Sequence, residues 1–182
     1  MNITSEINLA LKEFSNGKKN SAYKKIKKIF DKNKNDNLLR FNVAVIQEAL
    51  NLNTEARLNY EFLIKNDKNI KAIFNLYLLN IKEEKFLEAL RLIDELITKN
   101  VNKENIIKDR AFVLYKLKRY KESIKLCLEN LKVKSNDLTF INILSLNYFA
   151  NNELLKSEEL LKKAIKIEDN NVSILNTLGR IY

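Results

Sequence analysis

The sequence predicts an all-α fold of stacked antiparallel helix pairs, and three observations carry that prediction. A small residue recurs at Ala22, Ala56, Ala89, Ser123 and Ser157, in steps of 34, 33, 34 and 34 residues. Proline is absent and glycine occurs only at Gly17 and Gly179, so nothing in the chain forces a helix to break. Apolar residues fall at helical spacing on both sides of each small residue. A fixed period of this size marks a stack of identical supersecondary units, each too small to bury its own apolar face.

Each unit reads as helix A, a tight turn, helix B and a polar loop. The units span 3–36, 37–69, 70–103, 104–137 and 138–171, with a partial sixth at 172–182. In the first, Leu9 and Ala10 lie in helix A. Gly17 makes the turn, where positive φ costs glycine nothing, and Ala22, Ile26, Ile29 and Phe30 lie in helix B. The second has Val43 and Ala44, then Ala56, Tyr60, Leu63 and Ile64, and its closing loop is one residue short. The third has Ile73 and Leu76, then Phe86, Ala89, Leu90, Ile93, Leu96 and Ile97. The fourth has Ile107, Ala111 and Leu114, then Tyr120, Ser123, Ile124, Cys127 and Leu131. The fifth shows the pattern best. Ile141, Leu144, Ser145 and Tyr148 face one side of helix A, and Asn151-Asn152-Glu153 turns the chain. Leu154, Ser157, Leu160, Leu161, Ala164 and Ile165 form the stripe of helix B, and Glu168-Asp169-Asn170-Asn171 closes the unit with turn and capping residues. The small residues sit where helix A crosses helix B, because a bulky side chain there would hold the backbones apart. Ala10, Ala44 and Ala111 do the same in helix A.

These strings resemble the tetratricopeptide repeat (TPR) family. Leu175, Leu178-Gly179 and Tyr182 reproduce its helix-A signature, and Tyr120-Lys121-Glu122-Ser123-Ile124 its turn and helix-B start. The stretch Lys163-Ala164-Ile165-Lys166-Ile167-Glu168-Asp169-Asn170-Asn171 is similar to the family's closing segment. The departures are a missing helix-A Trp, and Asp or Lys where Pro usually closes the unit. The resemblance covers essentially the whole chain and implies a right-handed α-solenoid in which helix A lines a concave groove.

Composition excludes several other classes. Of the 182 residues, 46% are hydrophobic and 31% charged, a balance that folds. Histidine is absent and Cys127 is the sole cysteine, which rules out an internal disulfide and argues against a Cys/His metal site. The start, Met1-Asn2-Ile3-Thr4-Ser5-Glu6, is unlike a secretory signal, and no apolar run reaches bilayer length. A cytoplasmic location is the expectation. The paired carboxylates Glu83-Glu84 and Glu158-Glu159 are adjacent in sequence and do not face each other on a helix, and no phosphate loop or nucleophile elbow occurs. The residues give no enzyme and no cofactor.

The resemblance implies a scaffold that grips a protein or peptide segment in the groove. Phase within helix A places Phe41, Phe74, Lys108, Phe112, Tyr115, Asn142 and Phe149 on that face, together with Ile7, Leu11 and Phe14 in the first unit. The competing reading makes the same aromatics core. The family's chaperone-binding carboxylate clamp is absent, since Ile7 and Leu11 hold its places in the first unit.

The formal net charge is +10, concentrated in residues 1–36, where nine basic residues stand against four acidic. Lys24, Lys25, Lys27 and Lys28 are the densest run and suggest contact with an anionic surface, although Lys, Asn and Ile rise together under A/T-rich coding and a lysine face is commonly just solvated. Nucleic acid is disfavoured, because paired polar base-reading positions do not recur. The apolar face of the sixth helix suggests an array that continues past Tyr182. That continuation leads to the alternative expectation of an N-terminal targeting arm on a longer enzyme, such as a transferase.

Overall fold

The computed structural model describes residues 3–101 and 103–181. Tyr182, which ends the helix-A signature, lies outside them. Among the described residues the chain forms α-helices joined by short turns: α1 Ile3–Ser15, α2 Lys19–Lys32, α3 Asn37–Ala49, α4 Asn53–Asp67, α5 Ile70–Lys82, α6 Phe86–Thr98, α7 Lys103–Lys116, α8 Tyr120–Val133, α9 Leu138–Ala150, α10 Leu154–Ile167 and α11 Val172–Gly179. Odd-numbered helices are the A helices of the sequence pattern and even-numbered ones the B helices. The chain divides into two compact units, Met1–Glu83 and Glu84–Tyr182.

In the first unit α1 packs on α2, α2 on α3, α3 on α4 and α4 on α5. Ala10 and Ala22 are fully buried at the α1–α2 crossing, beside Ile26, Ile29, Leu39, Val43 and Ile46. Ile7, Leu11 and Phe14 lean on this cluster as partly buried residues. In the second unit α6 packs on α7, α7 on α8, α8 on α9, α9 on α10 and α10 on α11. The A helices α7 and α9 also touch directly, as do α9 and α11. One core cluster there joins Ala111, Cys127, Phe140, Ile143 and Leu144. The next joins Ile141, Leu161, Ala164 and Ile174.

All five periodic small residues are completely buried. The two serines do more than save space. Ser123 Oγ donates to the Ala111 carbonyl at 2.8 Å, and Ser157 Oγ donates to the Ser145 carbonyl at 2.8 Å. Each hydroxyl therefore ties helix B to helix A across the crossing, where Ala22 and Ala56 in the first unit only fit.

A second period runs through the backbone. The turn residues Gly17, Asn51, Glu84, Lys118 and Asn152 all have positive φ, between 57° and 79°. Four of these turns carry the paired bonds of a Schellman motif. At the clearest, Lys118 N–H reaches the Tyr115 carbonyl and Arg119 N–H the Leu114 carbonyl, both at 2.9 Å. The start of helix A carries a third period. Asp36, Asn69, Asp137 and Asn171 cap α3, α5, α9 and α11 by accepting backbone N–H bonds. The cap at Asn171 falls in the closing segment where capping residues were expected. Helix B has no such acceptor: Lys18, Leu52, Lys85, Arg119 and Glu153 make no side-chain cap bond.

Candidate functional site

The projected contact residues fall on A helices of both units, and each unit presents its own face. In the first, Phe41 of α3 and Phe74 of α5 are both half-buried. The Phe41 ring lies 6.1 Å from Tyr60, tilted by 53°, and Phe74 meets Tyr77 edge-on at 5.0 Å. Tyr60 is fully buried, donates to Glu48 at 2.9 Å and accepts from Asn75 at 3.1 Å. Burial, helped by the Glu48 carboxylate, raises its phenol well above the ordinary value. Phe41 and Phe74 thus stand on a rigid floor of buried tyrosines, each with part of its ring open.

The second unit gathers five of the seven residues. On α7, Phe112 meets Phe86 edge-on at 6.5 Å, and Tyr115 lies 6.1 Å from Tyr120. Lys116 Nζ lies 5.4 Å from the Phe86 ring and 5.8 Å from Phe112. On α9, Asn142 Oδ1 accepts from Thr177 Oγ1 at 2.7 Å, and Arg180 lies 5.7 Å from the Phe149 ring. Cation–aromatic contacts of this kind hold a charged head on an apolar surface without neutralising it.

Lys108 differs from the others. Its ammonium is 2.9 Å from Asp137 Oδ2 and 3.1 Å from Glu104, and 5.8 Å from the Phe140 ring. Asp137 is the α9 cap, only 6% exposed, accepting from the amides of Thr139 at 3.1 Å and Phe140 at 3.4 Å. Burial pushes the Asp137 carboxyl up, but Lys108 and the Phe140 amide outweigh that and hold it below its ordinary value. The bond to Asp137 in turn raises the Lys108 ammonium. Lys108 therefore locks α7 to the start of α9, a role that phase on a helix does not reveal.

The lysine run on α2 is exposed throughout. Lys25 pairs with Glu13 and Lys27 lies 5.8 Å from the Tyr23 ring. Sequence reasoning missed a buried polar cluster: Asn147 Nδ2 donates to Ser123 Oγ at 2.8 Å and to the Ile143 carbonyl at 2.7 Å. The available signal was an amide recurring near the end of helix A, at Gln47, Asn80 and Asn147, all of them buried. Cys127 is buried beside Ser123, and burial pushes its thiol up to about 12, so it is inert as a nucleophile. Among the described residues no group of three potential metal ligands occurs, and no helix is long and apolar enough to cross a membrane.

Solved structures match this helical arrangement over nearly all of its length. A tetratricopeptide repeat protein from Parabacteroides merdae superposes with a TM-score of 0.88 at 16% identity, covering 99% of this chain and 72% of that one. The chain has the tetratricopeptide-repeat fold. YrrB, described as a TPR protein with an unusual peptide-binding site, matches at a TM-score of 0.77 and 16% identity, over 94% of this chain and 89% of its own. MamA matches at 0.76 and 15% identity, over 92% of both chains. Neither a family model nor a curated protein sequence matches the chain. In TPR terms, the half-buried Phe41, Phe74, Phe112, Tyr115 and Phe149 belong to the A helices, and the periodic small residues are buried in the B helices.

Proposed function

We propose that the protein is an interaction scaffold whose A-helix faces bind a peptide or helical segment of a partner protein. The observation that carries this reading is the second unit's A helices, where Phe112, Tyr115 and Phe149 are only half-buried and the Lys116 and Arg180 heads sit over the Phe112 and Phe149 rings. Asn142 adds a side-chain amide, and Lys108 borders the face while anchoring α9. In the first unit Phe41 and Phe74 offer aromatic surface at the helix-A position that Lys108 and Asn142 hold in the second. Partly open aromatics on a rigid support are the usual anchors of an interface. In a longer chain, the same faces serve as the substrate-recruiting arm of an enzyme such as a transferase.

The test is a peptide selected against the full chain, with affinity measured by calorimetry. Phe112→Ala and Phe74→Ala, with helicity unchanged, are expected to weaken binding about tenfold or more, the loss of one aromatic anchor. Undiminished affinity in both variants would overturn the reading, and loss of helicity would assign the rings to the core.

A second reading concerns α2, which carries six lysines against the single acid Asp31. Lys24, Lys25, Lys27 and Lys28 are all exposed, and they favour an anionic partner whose affinity falls with salt.

A further inference from the structure

Helices α1 and α2 flank a half-open cavity of about 460 Å³ that none of the A-helix aromatics lines. Ile3, Leu9 and Ile29 give it an apolar lining, and Lys25, Lys28 and Lys32 stand along its α2 side. Leu9 is the informative residue. It is 42% exposed, whereas Val43, Leu76 and Leu144, which hold its place in the second, third and fifth repeats, are 1%, 5% and 1% exposed, and the fourth repeat has the polar, half-buried Arg110 there. In those copies the helix B before it in the chain packs against the A helix: α2 on α3, α4 on α5, α8 on α9. The element that covers this position elsewhere in the fold is therefore a helix. At α1 the position opens into the cavity instead.

Charge defines the chemistry of a helix that would lie there. Lys25, Lys28 and Lys32 recur at i, i+3 and i+7, a row of about 10 Å along one side of α2. Among the described residues Lys28 and Lys32 have no carboxylate partner, while Lys25 is shared with Glu13. Glu6 lies on the α1 side of the same cavity. A carboxylate stripe is thus attracted to the α2 side and repelled from the α1 side, which sets the rotation of an incoming helix.

We propose that the α1–α2 cavity docks an acidic amphipathic helix of a partner protein, with apolar side chains against Ile3, Leu9 and Ile29 and carboxylates along Lys25, Lys28 and Lys32. The proposal rests on the ionic reading of α2 and adds the apolar contact to it. It uses none of the aromatics of the A-helix face.

The experiment measures fluorescence anisotropy of a labelled synthetic helix of about 20 residues, long enough to fold on its own, with a Glu stripe beside a Leu stripe. The full chain is titrated at low and high salt, against a scrambled peptide of identical composition. The charge-reversed pair Lys28→Glu with Lys32→Glu is expected to weaken binding at least about tenfold and to flatten the salt dependence. Leu9→Gln, a polar change at a half-open helical position, is expected to weaken it about fivefold at both salt concentrations. Phe112→Ala leaves this binding unchanged.

Equal affinity for the scrambled peptide, with the lysine effect intact and Leu9→Gln silent, overturns helix docking and leaves the ionic reading standing. Loss of both the lysine effect and the salt dependence overturns the two together. A single-stranded oligonucleotide or phosphatidylserine vesicle that binds wild type and Leu9→Gln alike, and that the peptide does not displace, assigns the lysines to another class of partner and also refutes the proposal. Self-association in sedimentation velocity that the lysine reversal abolishes assigns the cavity to a second copy, with the same consequence.

Discussion

Replacing Lys108 with Met separates a binding residue from a structural one. Met keeps most of the side-chain length and helix propensity but removes the charge that reaches Asp137 at 2.9 Å and Glu104 at 3.1 Å. The side chains of Lys108 and Asp137 are 17% and 6% exposed, so the pair lies between an open surface bridge, worth up to about 1 kcal/mol, and a fully buried one. A loss of about 1–2 kcal/mol is the expected magnitude, and Glu104, fully open to solvent, adds nothing to that figure. Asp137→Ala removes the same pair and also the α9 cap, worth about 1 kcal/mol more. It is therefore expected to cost about 2–3 kcal/mol. The double variant should be no less stable than Asp137→Ala alone, giving a coupling equal to the Lys108→Met loss. Urea unfolding followed by circular dichroism measures all four corners. The pH dependence has a defined sign. The Asp137 carboxyl is held below its ordinary value, so its contribution is present above about pH 4 and lost as pH falls through the lowered folded value. The Lys108 ammonium is raised, so its contribution is present below about pH 10 and lost as pH rises through the folded value. Both limbs should shrink in Lys108→Met. A variant as stable as wild type, or strictly additive losses, would refute the lock. Weaker peptide binding at unchanged stability would restore Lys108 as a contact residue.

Three further outcomes follow from the crossings and turns. Ser123→Ala should cost about 1–2 kcal/mol by urea denaturation, more than Ser157→Ala, because it also leaves Asn147 without its hydroxyl partner; equal costs would show that the Asn147 contact carries no energy. Cys127, with its thiol raised to about 12, should resist a disulfide reagent near pH 8 until the second unit unfolds, so labelling should follow the denaturation curve rather than reagent concentration. Gly17→Ala should cost about 1 kcal/mol in a thermal melt and no more, since a new methyl group meets nothing within 4 Å and only the φ of +79° opposes it; a larger loss would point to a hidden clash.

The architecture was legible because its signals repeat. The spacing of Ala22, Ala56, Ala89, Ser123 and Ser157 marks one fully buried position in each of α2, α4, α6, α8 and α10. The backbone period was only partly visible. Gly17 announces a positive φ, and Asn51 and Asn152 tolerate one, but Glu84 and Lys118 have no such preference and are held there by the surrounding helices. Binding faces were harder to read. Helical phase brings Phe112, Tyr115 and Phe149 onto one unit's A helices, but it does not say that Lys108 is held by Asp137, a residue 29 positions away on the far side of α8 in the chain. Likewise Ile7, Leu11 and Phe14 share the phase of the contact residues and lean on a core cluster, as Phe112 leans on the cluster around Ala111, because exposure depends on the neighbouring helix.

The unequal helix starts have a kinetic consequence. Each A helix from α3 onward whose cap is described begins with its own Asp or Asn acceptor and can nucleate from local sequence, whereas each B helix begins without one, directly behind a positive-φ turn. A B helix therefore inherits its first turn from the A helix before it, and hairpins should form in order, A before B. Because nearly every stabilising contact joins neighbouring helices, a growing chain meets the partner of each new helix within one repeat length of synthesis. Ribosomal emergence and folding can then proceed in step, with little apolar surface waiting for distant sequence to arrive.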